Sequence, residues 1–199
     1  MSPDGPPASS VGDLAQLGQL WAEHAPRLIA MLRGRINPGL GFTAEDVLQR
    51  TFLEARSKWG RFGDRGGLSP YAWLYRIARD CLAEEVRRAT RDCRDIRRAR
   101  RLPEASAAQI ELGLMSPGSS PSTAAAREEL REQMRQALEE LRDTDQELLV
   151  MRHFDGLSYA DIAGVLGVKE NAAYVRYHRA LGRLSEVWQR LHPDDGGRP

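Results

Sequence analysis

Asn171, Tyr174, Val175, Arg176, His178 and Arg179 crowd into one short stretch, and together they have the chemistry of a surface that meets nucleic acid. Arginine and asparagine donate to phosphates and guanine edges, and valine is an apolar group of the kind that meets a thymine methyl. The residues between them repeat differently. Ala173, Tyr177, Ala180 and Leu184 fall at i, i+4, i+7 and i+11, the spacing of one buried helical face. A helix starting about Lys169 therefore buries this stripe and exposes the polar set, which fits a major groove.

That helix needs a second one to hold it. Ser158 with Asp161 three residues on has capping-box spacing and predicts a helix start. Ile162, Ala163, Val165 and Leu166 supply its apolar stripe, and Gly167 supplies a residue able to turn left-handed at its end. The small Ala160, Ala163 and Gly164 suit two helices crossing steeply over a short turn, as in a helix-turn-helix. A plain amphipathic hairpin with a solvated polar face is the alternative.

The longer run LRDTDQELLVMRHFDGLSYADIAGVLGVKENAAYVRYHRALGRL, Leu141 to Leu184, resembles the C-terminal promoter-reading domain of bacterial sigma factors, especially the extracytoplasmic-function (ECF) group. It adds a helix expected to be capped over Thr144 to Glu147 and the apolar segment ELLVMRHF. The resemblance implies that Lys169, Asn171, Tyr174, Val175, Arg176, His178 and Arg179 face the minus-thirty-five element. Tyr174 and Val175 stand where the family usually has Lys or Arg and Ser. Lys169 replaces the usual Ser cap, an expected loss of about 1 kcal/mol. Response-regulator output domains share much of this pattern, so the N-terminal half must discriminate.

There, Thr43 to Ala55, TAEDVLQRTFLEA, predicts a helix with Thr43 as N-cap, acidic residues in its first turn and Val47, Leu48, Thr51, Phe52 and Ala55 along one side. It resembles the ECF segment that binds the clamp helices of the largest RNA polymerase subunit. The resemblance places Asp46, Gln49, Arg50 and Phe52 in that contact, with Arg50 where the family usually has Glu. Asp46 is equally the capping-box acid of its own helix.

Lys58 to Gly67, KWGRFGDRGG, reads as a loop by its glycines. Ser69 as cap and Pro70 at the first helical position then start another helix. Trp73, Leu74, Ile77, Ala78, Cys81, Leu82 and Val86 form its core face. From Arg76 to Arg101 there are ten Arg against five acidic residues, a balance of +5. Arg127 to Leu157 has five Arg against nine acidic residues, or −4, an asymmetry that the overall charge of +1 conceals. FGDRGGLSPYAWLYRIARDCLAEEVRR resembles the sigma segment that melts DNA and holds the upstream edge of the bubble. Aromatic and guanidinium planes can replace the stacking partner of an unpaired base, at about 1–3 kcal/mol per base. The resemblance assigns Arg61, Phe62, Arg65, Arg76, Arg79, Asp80, Arg87 and Arg88 to the minus-ten element. Asp80 stands where the family often has Asn. Trp73 and Leu74 read better as core.

No strand-length run alternates, so the expected fold is all-α: two small helical domains joined by a flexible linker, the C-terminal one a helix-turn-helix. The expected boundaries are 14–101, a linker at 102–126, and 127–191. The linker, LPEASAAQIELGLMSPGSSPSTAAA, has no Lys or Arg and gathers Ser, Pro, Gly and Ala. As a random coil it spans roughly 28 Å, and at most about 85 Å extended.

Other chemistry finds little support. Cys81 and Cys93 are twelve residues apart, neither a C-x-x-C pair nor a shared metal face. His24, His153, His178 and His192 lie in separate segments without ligand spacing. No phosphate-cradling G-x-x-x-x-G-K-[ST] occurs. With these exclusions, the resemblance implies a cytoplasmic, non-catalytic initiation subunit with no cofactor, metal or membrane span. Its expected partners are core RNA polymerase, double-stranded promoter DNA, unpaired minus-ten bases and an anti-sigma factor. A helix-turn-helix regulator with another partner, and a protein-interaction adaptor, are the competing readings.

Overall fold

Thr43 starts the helix that organises the first unit. Its backbone is extended, its hydroxyl accepts from the Asp46 amide at 3.2 Å, and its own amide donates to Asp46 Oδ2 at 2.8 Å. Both orphan donors are satisfied by this reciprocal box. The computed structural model describes residues 11–36, 38–64, 67–90 and 124–193, and every regular element among them is helical. They fall into two compact units, Met1–Arg101 and Leu102–Pro199.

In the first unit, α1 (Val11–Arg35), α2 (Ala44–Lys58) and α3 (Pro70–Ala89) each pack on the other two. Leu17, Leu28, Met31 and Leu32 of α1, Val47 and Ala55 of α2, and Leu74, Ile77, Ala78 and Cys81 of α3 are all buried. Burying a leucine of this kind contributes about 1.5–3 kcal/mol. Thr51 is buried among them, and its hydroxyl donates to the Val47 carbonyl at 2.7 Å, which removes the cost of an orphaned polar group. Ser69 caps α3 by accepting from the Ala72 amide at 3.2 Å, with Pro70 at the first helical position.

The expected loop after α2 is instead largely a 3-10 helix, Trp59–Asp64. Its glycines did not decide the outcome because Trp59 is buried and anchors the turn. The Trp59 ring stacks on Phe62 at 4.5 Å and meets Trp73 edge-on at 6.2 Å. Aromatic burial overrode local propensity.

In the second unit, α4 (Ala124–Glu139), α5 (Asp143–His153) and α6 (Tyr159–Leu166) pack against α7 (Glu170–Leu191). Met134, Ala137, Leu138, Leu149, Val150, Tyr177, Ala180, Leu184 and Trp188 form one cluster. Helix α4 begins at Ala124 and takes in the last three residues of the expected linker; residues 102–123 lie outside the described residues. Thr144 is not the cap of α5. Arg142 takes that place without a side-chain cap bond, because a guanidinium has no acceptor to offer the first-turn amides; its carbonyl receives the Asp145 and Gln146 amides at 2.9 and 3.1 Å. Gln146 instead donates its side-chain amide to the Leu138 carbonyl at 2.6 Å, closing the turn from α4.

Candidate nucleic-acid interface

Ser158 caps α6 by accepting from the Asp161 amide at 3.0 Å, and its hydroxyl donates to the Asp161 carboxylate at 3.0 Å. Gly167 ends α6 with φ 66° and ψ 34°, left-handed backbone that a side chain rarely adopts, and α7 starts three residues later. Ile162, Ala163 and Val165 are buried as the sequence predicts, whereas Leu166 is half-buried and Ala160 is exposed. Ala160 therefore lies off the buried face to which Ala163 belongs.

On α7 the predicted division holds. Ala173, Tyr177, Ala180 and Leu184 are buried, and Trp188 extends the stripe by one further turn. Lys169, Asn171, Tyr174, Val175, Arg176, His178 and Arg179 are all exposed. Lys169 is the N-cap and makes no side-chain cap bond.

A set of rings fixes this surface to the helices behind it. Tyr159 of α6 meets Tyr174 edge-on at 5.2 Å and Tyr177 at 5.4 Å, and Tyr174 lies 4.2 Å from His178. Tyr177 in turn shares a 2.8 Å hydrogen bond with His153 Nε2 of α5. Burial, assisted by the Arg152 charge, holds the His153 pKa below that of a free imidazole, so the ring is neutral at pH 7. Burial pushes the Tyr177 phenol up, and it keeps its proton. The sequence signals none of these ring contacts.

Behind the same helix, Asp145 is 3% exposed. Its oxygens accept from Arg183 Nε at 2.6 Å and Nη2 at 2.5 Å, and from Arg142 Nε at 3.2 Å. This bidentate pair ties α5 to α7, 38 residues apart in sequence, a separation that leaves no local pattern to read.

In the first unit, α2 exposes Asp46, Gln49 and Leu53 on one side. Asp46 performs its capping role, and the bonds from the Thr43 hydroxyl and amide lower its pKa. Phe52 is half-buried, its ring edge-on to Trp21 of α1 at 5.0 Å. Arg50 reaches across to α3 and pairs with Glu85.

On α3, Arg76, Asp80 and Arg87 recur at i, i+4 and i+11 opposite the core, with Arg76 half-exposed and the other two exposed. Arg79 is half-exposed beside them. Arg87 and Arg88 donate to Glu84 at 2.8 and 3.2 Å on their own helix. Arg61 is exposed on the 3-10 helix, and Phe62 is half-buried against Trp59 and Trp73. Arg65 and Cys93 lie outside the described residues. Sequence reasoning missed Trp59, whose role depends on rings that meet only in the folded unit.

Two helical units, one of them a helix-turn-helix with an exposed cationic reading face, define a DNA-binding protein of modular type. Residues 20–92 match the family description "Sigma-70 region 2", and residues 131–184 match "Sigma-70, region 4". Among relatives, RNA polymerase sigma factor CarQ of Myxococcus xanthus is 30% identical over 168 residues, covering 84% of this chain and 86% of that one. ECF RNA polymerase sigma factor SigD of Mycobacterium tuberculosis is 30% identical over 178 residues, covering 88% and 78%. The solved structure of sigma factor RpoE with the anti-sigma factor NepR from Bartonella quintana shares the fold, with TM-score 0.51 and 24% identity over 90% of this chain and 98% of that one.

The chain belongs to the sigma-70 family and, within it, to the ECF sigma factors. It is a transcription initiation factor that binds core RNA polymerase and promoter DNA, and the family is non-enzymatic. The match across both units weighs against the regulator and adaptor readings. No described helix is long and apolar enough to cross a membrane.

Proposed function

We propose that this sigma factor divides its work by unit, acting in the cytoplasm. Residues 14–101 bind core polymerase through Asp46, Gln49, Arg50 and Phe52 of α2, on the clamp helices of the largest subunit. The same unit holds unpaired minus-ten bases with Arg61, Phe62, Arg65, Arg76, Arg79, Asp80, Arg87 and Arg88. Residues 127–191 read the minus-thirty-five element, and 102–126 join the two. The observation that carries this reading is the two-sided α7: its apolar stripe is buried while Lys169, Asn171, Tyr174, Val175, Arg176, His178 and Arg179 remain exposed. Transcription reconstituted from core polymerase, the chain and the DNA upstream of its own gene tests it. Absence of specific transcripts there, and on a promoter library, rejects the assignment.

Within that assignment Arg176 and Arg179 contribute differently. Arg179 lies one turn beyond Val175 on the exposed face, nearer the groove floor, and Arg176 lies toward the flank, nearer a phosphate. Arg176→Ala weakens binding about equally on all sequences and lowers the salt slope by roughly one. Arg179→Ala costs about 1–3 kcal/mol and relaxes the preference at one base pair. Binding to a panel of upstream variants at two salt concentrations checks this, and identical profiles for both variants refute it.

The polymerase contact is tested best without touching Asp46, because its loss would also remove the reciprocal half of the capping box of α2. Gln49 and Leu53 are exposed and outside the core. Gln49→Ala with Leu53→Ala should weaken core binding by roughly tenfold, the scale of a significant interface residue, at unchanged thermal stability. Unaltered affinity would remove α2 from the interface.

A further inference from the structure

Among the large apolar side chains exposed on the described residues, two are neighbours in the middle of the reading face: Tyr174 at 46% and Val175 at 37% exposure. We infer that they form an apolar reading edge for the 5-methyl group of a thymine in the upstream promoter element, a deepening that rests on α7 lying in the major groove.

Three observations carry it. Val175 has Asn171 one turn before and Arg179 one turn after on the same exposed face. These two bracket an apolar centre with hydrogen-bonding side chains, so the helix is held by polar contacts at both ends of the edge. The edge is also rigid. Tyr174 is wedged between Tyr159 at 5.2 Å and His178 at 4.2 Å, and a β-branched valine in a helix keeps one side-chain rotamer. Little conformational freedom remains to be lost on binding. Finally, the chemistry selects one base. Only thymine presents a methyl in the major groove; the other bases present donors or acceptors there. Valine satisfies neither, so a guanine, adenine or cytosine edge at this point loses water without gaining a partner.

Holoenzyme assembled from the full chain and core polymerase selects duplexes from a randomised upstream library. Each thymine of the tightest duplex is then exchanged for deoxyuridine, which removes the methyl and nothing else. One exchange should weaken binding roughly fourfold, the worth of one buried methyl. Val175→Ala, with melting temperature unchanged because the side chain is exposed, should bind the thymine and uracil duplexes alike. Tyr174→Phe should retain the discrimination, and Tyr174→Ala should reduce it. Selected duplexes that bind specifically but ignore every thymine-to-uracil exchange overturn the inference and leave promoter reading intact. Discrimination that survives Val175→Ala undiminished also overturns it. Failure to select any sequence overturns the proposed function itself.

Discussion

Asp145→Ala should lower the stability of the C-terminal unit by about 2–3 kcal/mol. Removing one partner of a buried ion pair usually costs about 3–5 kcal/mol, because the other charge is left without compensation. Here the Arg183 side chain is 33% exposed and can turn toward water, which moves the expectation to the lower end. The loss has a pH signature. Burial alone would raise the Asp145 pKa, but hydrogen bonds from Arg183 and Arg142 outweigh it, and the net shift is downward. A carboxyl with a depressed folded-state pKa contributes stability that is present in full above its unfolded value, near 3.9, and is lost as pH falls through the folded value. The gap between the native chain and Asp145→Ala should therefore be constant at neutral pH and narrow below about pH 4. Urea denaturation followed by amide exchange in α5 and α7 measures this. Equal protection of those helices in both proteins at pH 7 would show that the pair does not hold the reading helix.

Trp59→Ala should cost the first unit about 3–5 kcal/mol, the range for removing a buried tryptophan. The indole stacks on Phe62 at 4.5 Å with an interplanar angle of 16°, and Phe62 in turn meets Trp73 edge-on at 5.0 Å. Trp59 is the one fully buried residue of its 3-10 helix, and Phe62 packs on it, so its loss weakens the anchor of the turn that carries Arg61. For a unit of this size the melting temperature should fall by well over 10 °C, at about 4–8 °C per kcal/mol. Trp59→Phe keeps a ring against Phe62 and should lose less than half as much. Calorimetry of the two variants decides it: an alanine variant that melts with the native chain would mean the ring cluster carries no structural weight.

The parts of the fold that were legible in the sequence are those built from local rules. Ser158, Ser69 and Thr43 announce helix starts because capping needs a side-chain oxygen at one position. Gly167 announces a stop because only a left-handed residue closes that turn. The stripe Ala173, Tyr177, Ala180, Leu184 was legible because period alone defines it. The failures share a cause. Thr144 has a cap-like neighbourhood, yet α5 starts at Asp143, where Arg142 supplies the carbonyl. The glycine-rich run after α2 looked open, but Trp59 finds Trp73 across the unit. Arg50 illustrates the limit best. Its type, unusual for the family at that place, becomes intelligible only beside Glu85, 35 residues away. Side chains whose partners are distant carry no period, and the candidate site depends on several of them.

The rings that join α6 to α7 also make the reading face optically active. Tyr159, Tyr174 and Tyr177 are held a few ångströms apart at steep angles, 5.2 Å and 74° for one pair and 5.4 Å and 67° for another. Chromophores locked in such an asymmetric array couple their transitions. Near-ultraviolet circular dichroism of the chain should therefore contain a tyrosine signal that originates at the groove-facing edge, and a base arriving beside Tyr174 should perturb it. On the proposed docking of α7, these rings would report promoter engagement from within, with no dye attached to watch the protein bind.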